Sequence, residues 1–339
     1  MEDYAALTHV DLLKHRSIEE HPENPERLSS ILSLFQPGSP FNFYPRLQAR
    51  TASEEELLRA HAREMVSSIL SARNQSGFWD ADTYYCPDSV QAALLAAGGT
   101  IDLATRIWKG ELRRGFSLVR PPGHHATPQR AMGFCLFNNI ALAAQAVLTE
   151  SPRARLAIVD FDLHHGNGTQ DLFYQNPNVL FLSSHRYPYY PGSGALDEVG
   201  LGKGKGTTLN FPLGSAVGRN VFIPLYAGLI PQILRDFKPE MIFVSAGFDG
   251  HVEDPMQGFA LNTSDYGQIA DYLIGSAEET SGKILFVLEG GYNPTALKDS
   301  VEIVLRKLAE ASREAKRFPF GDSPLIDPFI RQAKAFFRI

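Results

Sequence analysis

Cysteine is almost missing from this 339-residue chain, which has only Cys86 and Cys135. Their spacing matches neither a zinc motif nor a redox pair, so the expectation is two reduced thiols in a reducing compartment and no disulfide framework. Basic clusters are missing too. The net charge is −6 and no stripe of Lys and Arg gathers anywhere, which weighs against a direct nucleic-acid surface. Long apolar runs are absent: the most apolar stretch, residues 140–148, contains Gln145 and is far too short to span a bilayer. The first residues, Met1 to Leu7, carry neither the basic n-region nor the apolar core of a signal peptide. No internal repeat, low-complexity tract or interdomain linker breaks the sequence. What remains is a soluble enzyme or binding protein of ordinary composition, 44% hydrophobic and 21% charged. It is expected in the cytoplasm, away from membranes, as one domain over residues 1–339.

The patterning that is present alternates strands with helices. Residues 1–50 read as polar, irregular and Pro-rich, with a helix after Pro25 in the stretch His21-Pro22-Glu23-Asn24-Pro25-Glu26-Arg27-Leu28. Ser53 and Glu56 make a capping box for the next helix. Residues 79–87 read as an aromatic loop, and residues 89–108 as a long Ala-rich helix packed closely through Gly98-Gly99. Short apolar runs at 116–119, 156–159, 179–183, 208–211, 241–245 and 284–288 read as strands. Helices are expected near 139–149, 222–237 and 264–279, with a last helix and a Pro- and Phe-containing tail closing the chain. The central runs are continuously apolar rather than alternating, the mark of a parallel sheet buried on both faces. The fold class is therefore α/β, with a mostly parallel sheet flanked by helices.

In such sheets ligands collect beyond the carboxyl ends of the strands, and the polar residues of this chain fall there. The run 156–159 leads into Asp160-Phe161-Asp162-Leu163-His164-His165-Gly166-Asn167-Gly168. In extended backbone Asp160, Asp162 and His164 share one face, about 6.5 Å between successive Cα atoms, and Gly-Asn-Gly is expected to turn the chain and end the strand. Two carboxylates and an imidazole facing one way make a metal site. Asp162 and His164 supply two ligands, and Asp249, after the strand 241–245, is the best third. The set suits a catalytic Zn²⁺ with an open position for water, and its hardness also admits Fe²⁺ or Co²⁺. Such an ion lowers the pKa of its water to about 7 and polarises a carbonyl. Tyr292, on a Gly290-Gly291 hinge, suits the developing oxyanion. His124 and His125, presented by Arg120-Pro121-Pro122-Gly123, supply proton transfers. If Asp160 pairs with His124 and Asn167 with His125, the carboxylate-held ring stays charged and the amide-held ring is the better base. His165, His185 and His251 are expected to be structural, and His9, His15 and His61 to be solvated. The stretch Gly202 to Thr208 only superficially suggests a phosphate loop, since it lacks Gly-Lys-Ser/Thr.

Taken together these pieces resemble the histone deacetylase superfamily, including its bacterial amidohydrolase and acetylpolyamine deacetylase members. The matching segments occur in the family's order: Arg120 to Ala126, Gly133 to Asn139, Asp160 to Gly168, Ser245 to Asp249 and Leu288 to Asn293. The match runs from about His21 to the last helix. The resemblance implies an arginase-like α/β fold and Zn²⁺ held by Asp162, His164 and Asp249. It further implies acid–base roles for His124 and His125, and Tyr292 as the carbonyl-polarising donor. A K⁺ site is implied at Asp160, Asp162, His164, Ser183 and Ser184, mostly through backbone oxygens. The implied acyl-lysine channel has Phe134 and Tyr190 as walls, with Gly133, Gly290 and Gly291 along it. Asn167 stands where many class I relatives carry Asp, which makes the chain class II-like, and Tyr190 replaces the commoner Phe. Met256 occupies the place where polyamine-deacetylating relatives put an acidic gatekeeper. The implied substrate is thus an acetylated lysine side chain or a small acylated amine, with acetylpolyamine as the alternative. An arginase-type ureohydrolase would need a second metal and an Asp-x-Asp cluster near Asp249, which is not there. A non-catalytic acetyl-lysine reader would need neither Tyr292 nor both histidines.

Overall fold

The computed structural model describes residues 3–215, 217–310 and 324–339. Its strands are β1 (Tyr4–Thr8), β2 (Arg46–Gln48), β3 (Gly77–Phe78), β4 (Tyr84–Tyr85), β5 (Arg114–Ser117), β6 (Leu156–Asp160), β7 (Val179–Arg186), β8 (Thr208–Leu213), β9 (Met241–Ala246) and β10 (Ile284–Leu288). The helices are α1 (Pro25–Leu32), α2 (Glu54–Leu57), α3 (Arg63–Ser71), α4 (Ser89–Trp108), α5 (Asn139–Glu150), α6 (Asn167–Phe173), α7 (Arg219–Pro224), α8 (Ile230–Phe237), α9 (Thr263–Thr280), α10 (Pro294–Glu310) and α11 (Asp327–Ala333). Eight of the strands form one sheet in the order β2-β1-β5-β10-β9-β6-β7-β8, every pairing parallel. Strands β6, β9 and β10 are buried along their whole length, as continuously apolar strands between helical layers must be. Parallel pairing sends the carboxyl ends of all eight strands to one rim. Five neighbours in that order, β5, β10, β9, β6 and β7, deliver the loops that carry the polar residues.

Several local expectations are met by visible physical causes. Pro25 occupies the first turn of α1 and the Asn24 side chain accepts the Glu26 N–H at 2.9 Å. Ser53 and Glu56 close a capping box at α2. Helix α4 spans the expected residues, and α5 begins on an Asn138 cap that accepts the Ala141 N–H at 3.0 Å.

Other expectations need correction. The first fifty residues are not irregular apart from one helix: β1 lies inside the sheet between β2 and β5. Its sequence, Tyr-Ala-Ala-Leu-Thr, holds no β-branched residue before Thr8, so propensity hides a strand that burial and pairing stabilise. The aromatic stretch is not all loop: β4 lies within it and pairs antiparallel with β3 just before it, with Gly77 opposite Tyr85. The strand expected at 116–119 starts two residues earlier and ends at Ser117, before Arg120 and the two prolines. The helix expected over 222–237 is broken into α7 and α8 by a π-helical turn at Leu225–Leu229. Pro231 lacks the N–H that would continue an α-helical ladder to residue 227, and the wider turn accommodates it. Strand β6 ends at Asp160, so Asp162 and His164 lie on a loop rather than in extended backbone, and Asn167 opens α6 rather than a turn. His15 and His61 are not solvated; they are 1% and 3% exposed. Of the expected tail, residues 311–323 lie outside the described residues. No helix among the described residues is long and apolar enough to cross a membrane.

Candidate active site

Asp162, His164 and Asp249 converge where β6 and β9 end side by side. One ligand atom from each lies within 4.8 Å of the others. Backbone N–H groups fix the two carboxylates. Asp162 Oδ1 accepts from His164 N at 2.9 Å and Asp162 Oδ2 from Gly290 N at 2.8 Å, while Asp249 Oδ1 accepts from Leu163 N at 2.9 Å. His164 Nδ1 stands 3.2 Å from Asp162 Oδ1 and 3.0 Å from Asp249 Oδ2. The second approach is out of line for a hydrogen bond, which leaves Asp249 Oδ2 a buried oxygen without a donor among the described residues. Burial, followed by the Asp162 charge, pushes the Asp249 carboxyl up. A pair of buried carboxylates facing one imidazole is expensive without a cation between them. The donor set therefore fits a divalent metal ion. Gly290 keeps that space open: a Cβ there would lie 2.5 Å from Asp249 Oδ2 and 2.6 Å from Asp162 Oδ2.

The two loop histidines are buried beside this centre, 3% and 4% exposed, with ring centroids 4.0 Å apart. His124 Nδ1 lies 3.0 Å from Asp160 Oδ2, and its Nε2 is 3.8 Å from Asp162 Oδ1. Burial alone would discharge this ring, but the Asp162 and Asp160 carboxylates outweigh it and lift it to about 10. His125 Nδ1 lies 2.8 Å from Asn167 Oδ1. An amide oxygen only accepts, so Nδ1 carries the proton and Nε2 is left as a free base. Burial, then the charges of His124 and His164, holds His125 well below its ordinary value. Asn167 Nδ2 turns the other way, towards the His125 carbonyl at 3.4 Å and Met132 Sδ at 3.6 Å.

Aromatic rings stand around these groups. Tyr190 meets His125 edge-on at 5.2 Å and His164 at 6.2 Å. Phe134 meets the Tyr292 ring edge-on at 5.8 Å. Phe134 has φ of 67°, a left-handed conformation rare for a bulky residue. Its N–H donates to Thr83 Oγ1 at 3.0 Å, which anchors it. Gly133 lies against the His125 ring, where a Cβ would be 2.5 Å from Cδ2. The N–H of Tyr292 donates to Asp254 Oδ2 at 2.6 Å, and the Met256 N–H donates to Asp254 Oδ1 at 3.0 Å. Met256 is half-buried against the main core. Asp160 pairs with Ser183 in the β6–β7 register. The Ser183 hydroxyl is 2.9 Å from His185 Nδ1, and the Ser184 hydroxyl is 2.7 Å from the Tyr226 hydroxyl.

Sequence reasoning passed over several residues here. Tyr189 stacks on His164 at 5.4 Å, nearer parallel than its neighbour Tyr190. Glu289 Oε2 accepts from Gly123 N at 2.6 Å and His124 N at 3.1 Å, so it holds the histidine loop by its backbone. Its signal was a carboxylate placed directly after the apolar run of β10. Arg27 reaches the carbonyls of Glu289 and Gly291 from 262 and 264 residues away, a contact with no local signal at all.

Known proteins resemble this chain over most of its length. The profile of the histone deacetylase domain matches residues 21–308. A "Probable deacetylase" of Archaeoglobus fulgidus is 37% identical over 288 residues, 84% of this chain and 80% of that protein. "Histone deacetylase 15" of Arabidopsis thaliana is 37% identical over 315 residues, 91% of this chain and 56% of its own length. "Histone deacetylase clr3" of Schizosaccharomyces pombe is 36% identical over 313 residues, 86% and 45% of the two lengths. The chain thus spans about half the length of the plant and yeast relatives. The crystal structure of the HDA15 HD domain superposes with a TM-score of 0.88 at 34% sequence identity, covering 99% of this chain and 93% of that one.

Proposed function

The chain belongs to the histone deacetylase family, and from that premise we propose that residues 1–339 form one catalytic domain hydrolysing acyl-lysine-type amides. The observation that carries this reading is the convergence of Asp162, His164 and Asp249, with an amide-held histidine and a carboxylate-held one beside it. Zn²⁺ is the ion we assign to that donor set, with Fe²⁺ or Co²⁺ as substitutes. When bound, it supplies Lewis-acid polarisation of the amide carbonyl and acidifies a water molecule.

The side chains do the rest. His125 Nε2 takes the proton of the attacking water, because its Nδ1–H is committed to Asn167. His124 keeps its proton, shared with Asp160, and lends positive charge to the developing oxyanion. His125 then returns its proton to the departing amine. Tyr292 donates its hydroxyl to the oxyanion from the loop that Asp254 holds. Phe134 and Tyr190 flank the aliphatic stem of the acylated lysine, with Gly133, Gly290 and Gly291 leaving room for it. We assign a structural K⁺ to Asp160, Asp162, His164, Ser183 and Ser184, where β6 ends beside Ser183 of β7. A reducing, cytoplasm-type setting suits Cys86 and Cys135, both buried and free.

Met256 in place of a carboxylate favours a lysine stem over a cationic polyamine, and an acetylated lysine side chain or small acylated amine is the proposed substrate. Initial rates on an acetyl-lysine peptide, an acetylated polyamine and a longer acyl-lysine, with metal content measured in the same sample, test the reading. Much faster cleavage of the polyamine would reverse the substrate choice. No deacylation by metal-loaded protein would leave a binding module for acetylated partners.

A further inference from the structure

The stretch His21-Pro22-Glu23-Asn24-Pro25-Glu26-Arg27 takes no part in the reaction outlined above, yet it supplies a buried carboxylate, Glu23, bonded to two arginines and a tyrosine. Glu23 is fully buried, and Arg27 and Arg120 are each 1% exposed. Glu23 Oε1 accepts from Arg120 Nε at 2.9 Å and from an Arg27 guanidinium nitrogen at 3.0 Å. Its Oε2 accepts from a second Arg120 nitrogen at 2.7 Å and lies 3.0 Å from the Tyr84 hydroxyl.

Each guanidinium then reaches onward. Arg27 donates from Nε to the Gly291 carbonyl at 2.6 Å and from a terminal nitrogen to the Glu289 carbonyl at 2.5 Å. Its Cζ lies 4.9 Å over the Tyr292 ring. It thus grips the loop on both sides of Gly290 and touches the ring that the loop presents. Arg120 donates to the carbonyls of Leu12 and His15 at 2.7 and 2.6 Å, and it stands four residues before His124. Tyr84 continues the connection to the channel wall. The His21 ring meets Tyr84 at 4.8 Å and Phe134 at 4.7 Å, both edge-on.

We propose that Glu23 is a positioning residue for the reaction, a single carboxylate that locks the Tyr292 loop and the His124–His125 loop into one arrangement through Arg27 and Arg120. This rests on the deacylase reading for its kinetic consequences, though the clamp itself does not. Two buried guanidiniums facing one carboxylate leave an unbalanced positive pair when the charge is removed, and they separate. Each loop would then drift with its own arginine. A packing residue would disturb the core around it, whereas Glu23 is bonded to Arg27, which holds the Tyr292 loop, to Arg120, which leads into the histidine loop, and to Tyr84 on β4.

Glu23→Gln in the full, metal-loaded chain tests this. The expected result is a folded protein whose kcat on acetyl-lysine peptide falls by about 10²-fold with KM changed less than about threefold. Hydrogen–deuterium exchange should rise together in segments 120–125 and 289–293, and stay unchanged in β6 and β9. A kcat within about threefold of the unaltered chain, or exchange that rises evenly across the sheet or in neither loop, overturns the proposal. If the unaltered chain itself shows no turnover, the deacylase reading fails while the paired exchange still decides the clamp. Should Glu23→Gln not fold, Arg27→Lys decides: it keeps a cation for Glu23 but cannot span both carbonyls. Lost kcat at constant KM then supports the proposal, and unchanged kcat overturns it.

Discussion

The Tyr292 hydroxyl and the Asp249 carboxylate are single groups whose removal has consequences of different kinds. Tyr292→Phe keeps the ring that packs against Phe134 and under Arg27 and deletes only the proposed oxyanion donor. Loss of about 2.7–4 kcal/mol of transition-state stabilisation is expected, a fall of roughly 10²–10³ in kcat. Steady-state rates on an acetyl-lysine peptide check it, and a variant within tenfold of the parent would remove Tyr292 from the reaction. Asp249→Asn is expected to act in two directions. It removes an anionic ligand, so metal content should drop and chelator should no longer lower the melting temperature. It also relieves the burial and the Asp162 repulsion that raise Asp249, so the metal-free variant should melt no lower than the metal-free parent. Melting curves with and without chelator read both effects. A chelator-sensitive variant would mean that Asp249 is not a ligand. At this scale the sequence said a good deal. The motif order picked out the residues that meet at the rim, but gave no role to Glu289, Arg27 or Tyr189, whose contacts are with neighbours far away in the chain.

Among the elements, helix α4 shows where local rules give way to packing. Gly98 sits in its middle, where Ala would normally be about 1 kcal/mol better. Here a Cβ would strike the backbone of Arg50, Thr51 and Ala52, because the Ala52 N–H donates to the Leu94 carbonyl at 2.8 Å and brings that segment against the helix. Gly98→Ala is therefore expected to destabilise by about 1–3 kcal/mol, typical of overpacking, in a denaturant titration. A stabilised variant would show that the loop can retreat. Ser53→Ala is the milder case. It removes the hydroxyl that accepts the Glu56 N–H at 3.2 Å, worth about 1 kcal/mol at a helix start. Periodicity and caps were legible in most elements. β1 was not, since its strand state comes from neighbours on both sides rather than from its own residues.

At the scale of the whole molecule, acid should be the weak point. His61 Nδ1 donates to the Thr127 carbonyl at 2.9 Å and Nε2 accepts the Asn138 N–H at 3.0 Å, a neutral ring with both nitrogens used. Burial holds it down at about 4, and burial followed by Arg120 holds His15 at about 3. In the unfolded chain both titrate near 6.5. Between those values the unfolded state binds more protons, so stability is complete above 6.5 and is lost as pH falls towards 4, by up to about 1.4 kcal/mol per pH unit and group. Glu23 adds to this further down. Burial would raise it, but Arg120, with His15 and Arg27, holds it at about 2, so its contribution fades below its unfolded value of 4.5. Melting temperature should decline from pH 6.5 to 4. The slope should shrink in His61→Gln, whose amide can keep both bonds without titrating. A flat profile over that range would contradict the neutral, buried assignment.

By itself the sequence determined the α/β class, most strands and helices, and the family, because apolar runs, caps and ordered motifs are properties of neighbouring residues. It also pointed to the Asp162, His164 and Asp249 cluster, since Asp162 and His164 stand two apart and Asp249 comes three residues after β9 ends. The tertiary structure decided how they meet. It ended β6 at Asp160 and curled Asp162 and His164 onto a loop, where Gly290 and Leu163 N–H groups fix the two carboxylates. It buried His15 and His61, and it brought Glu23 and Arg27 against loops some hundred and more than two hundred and fifty residues away. Such long-range contacts follow from a parallel sheet, whose strands come from distant parts of the chain and end at one rim.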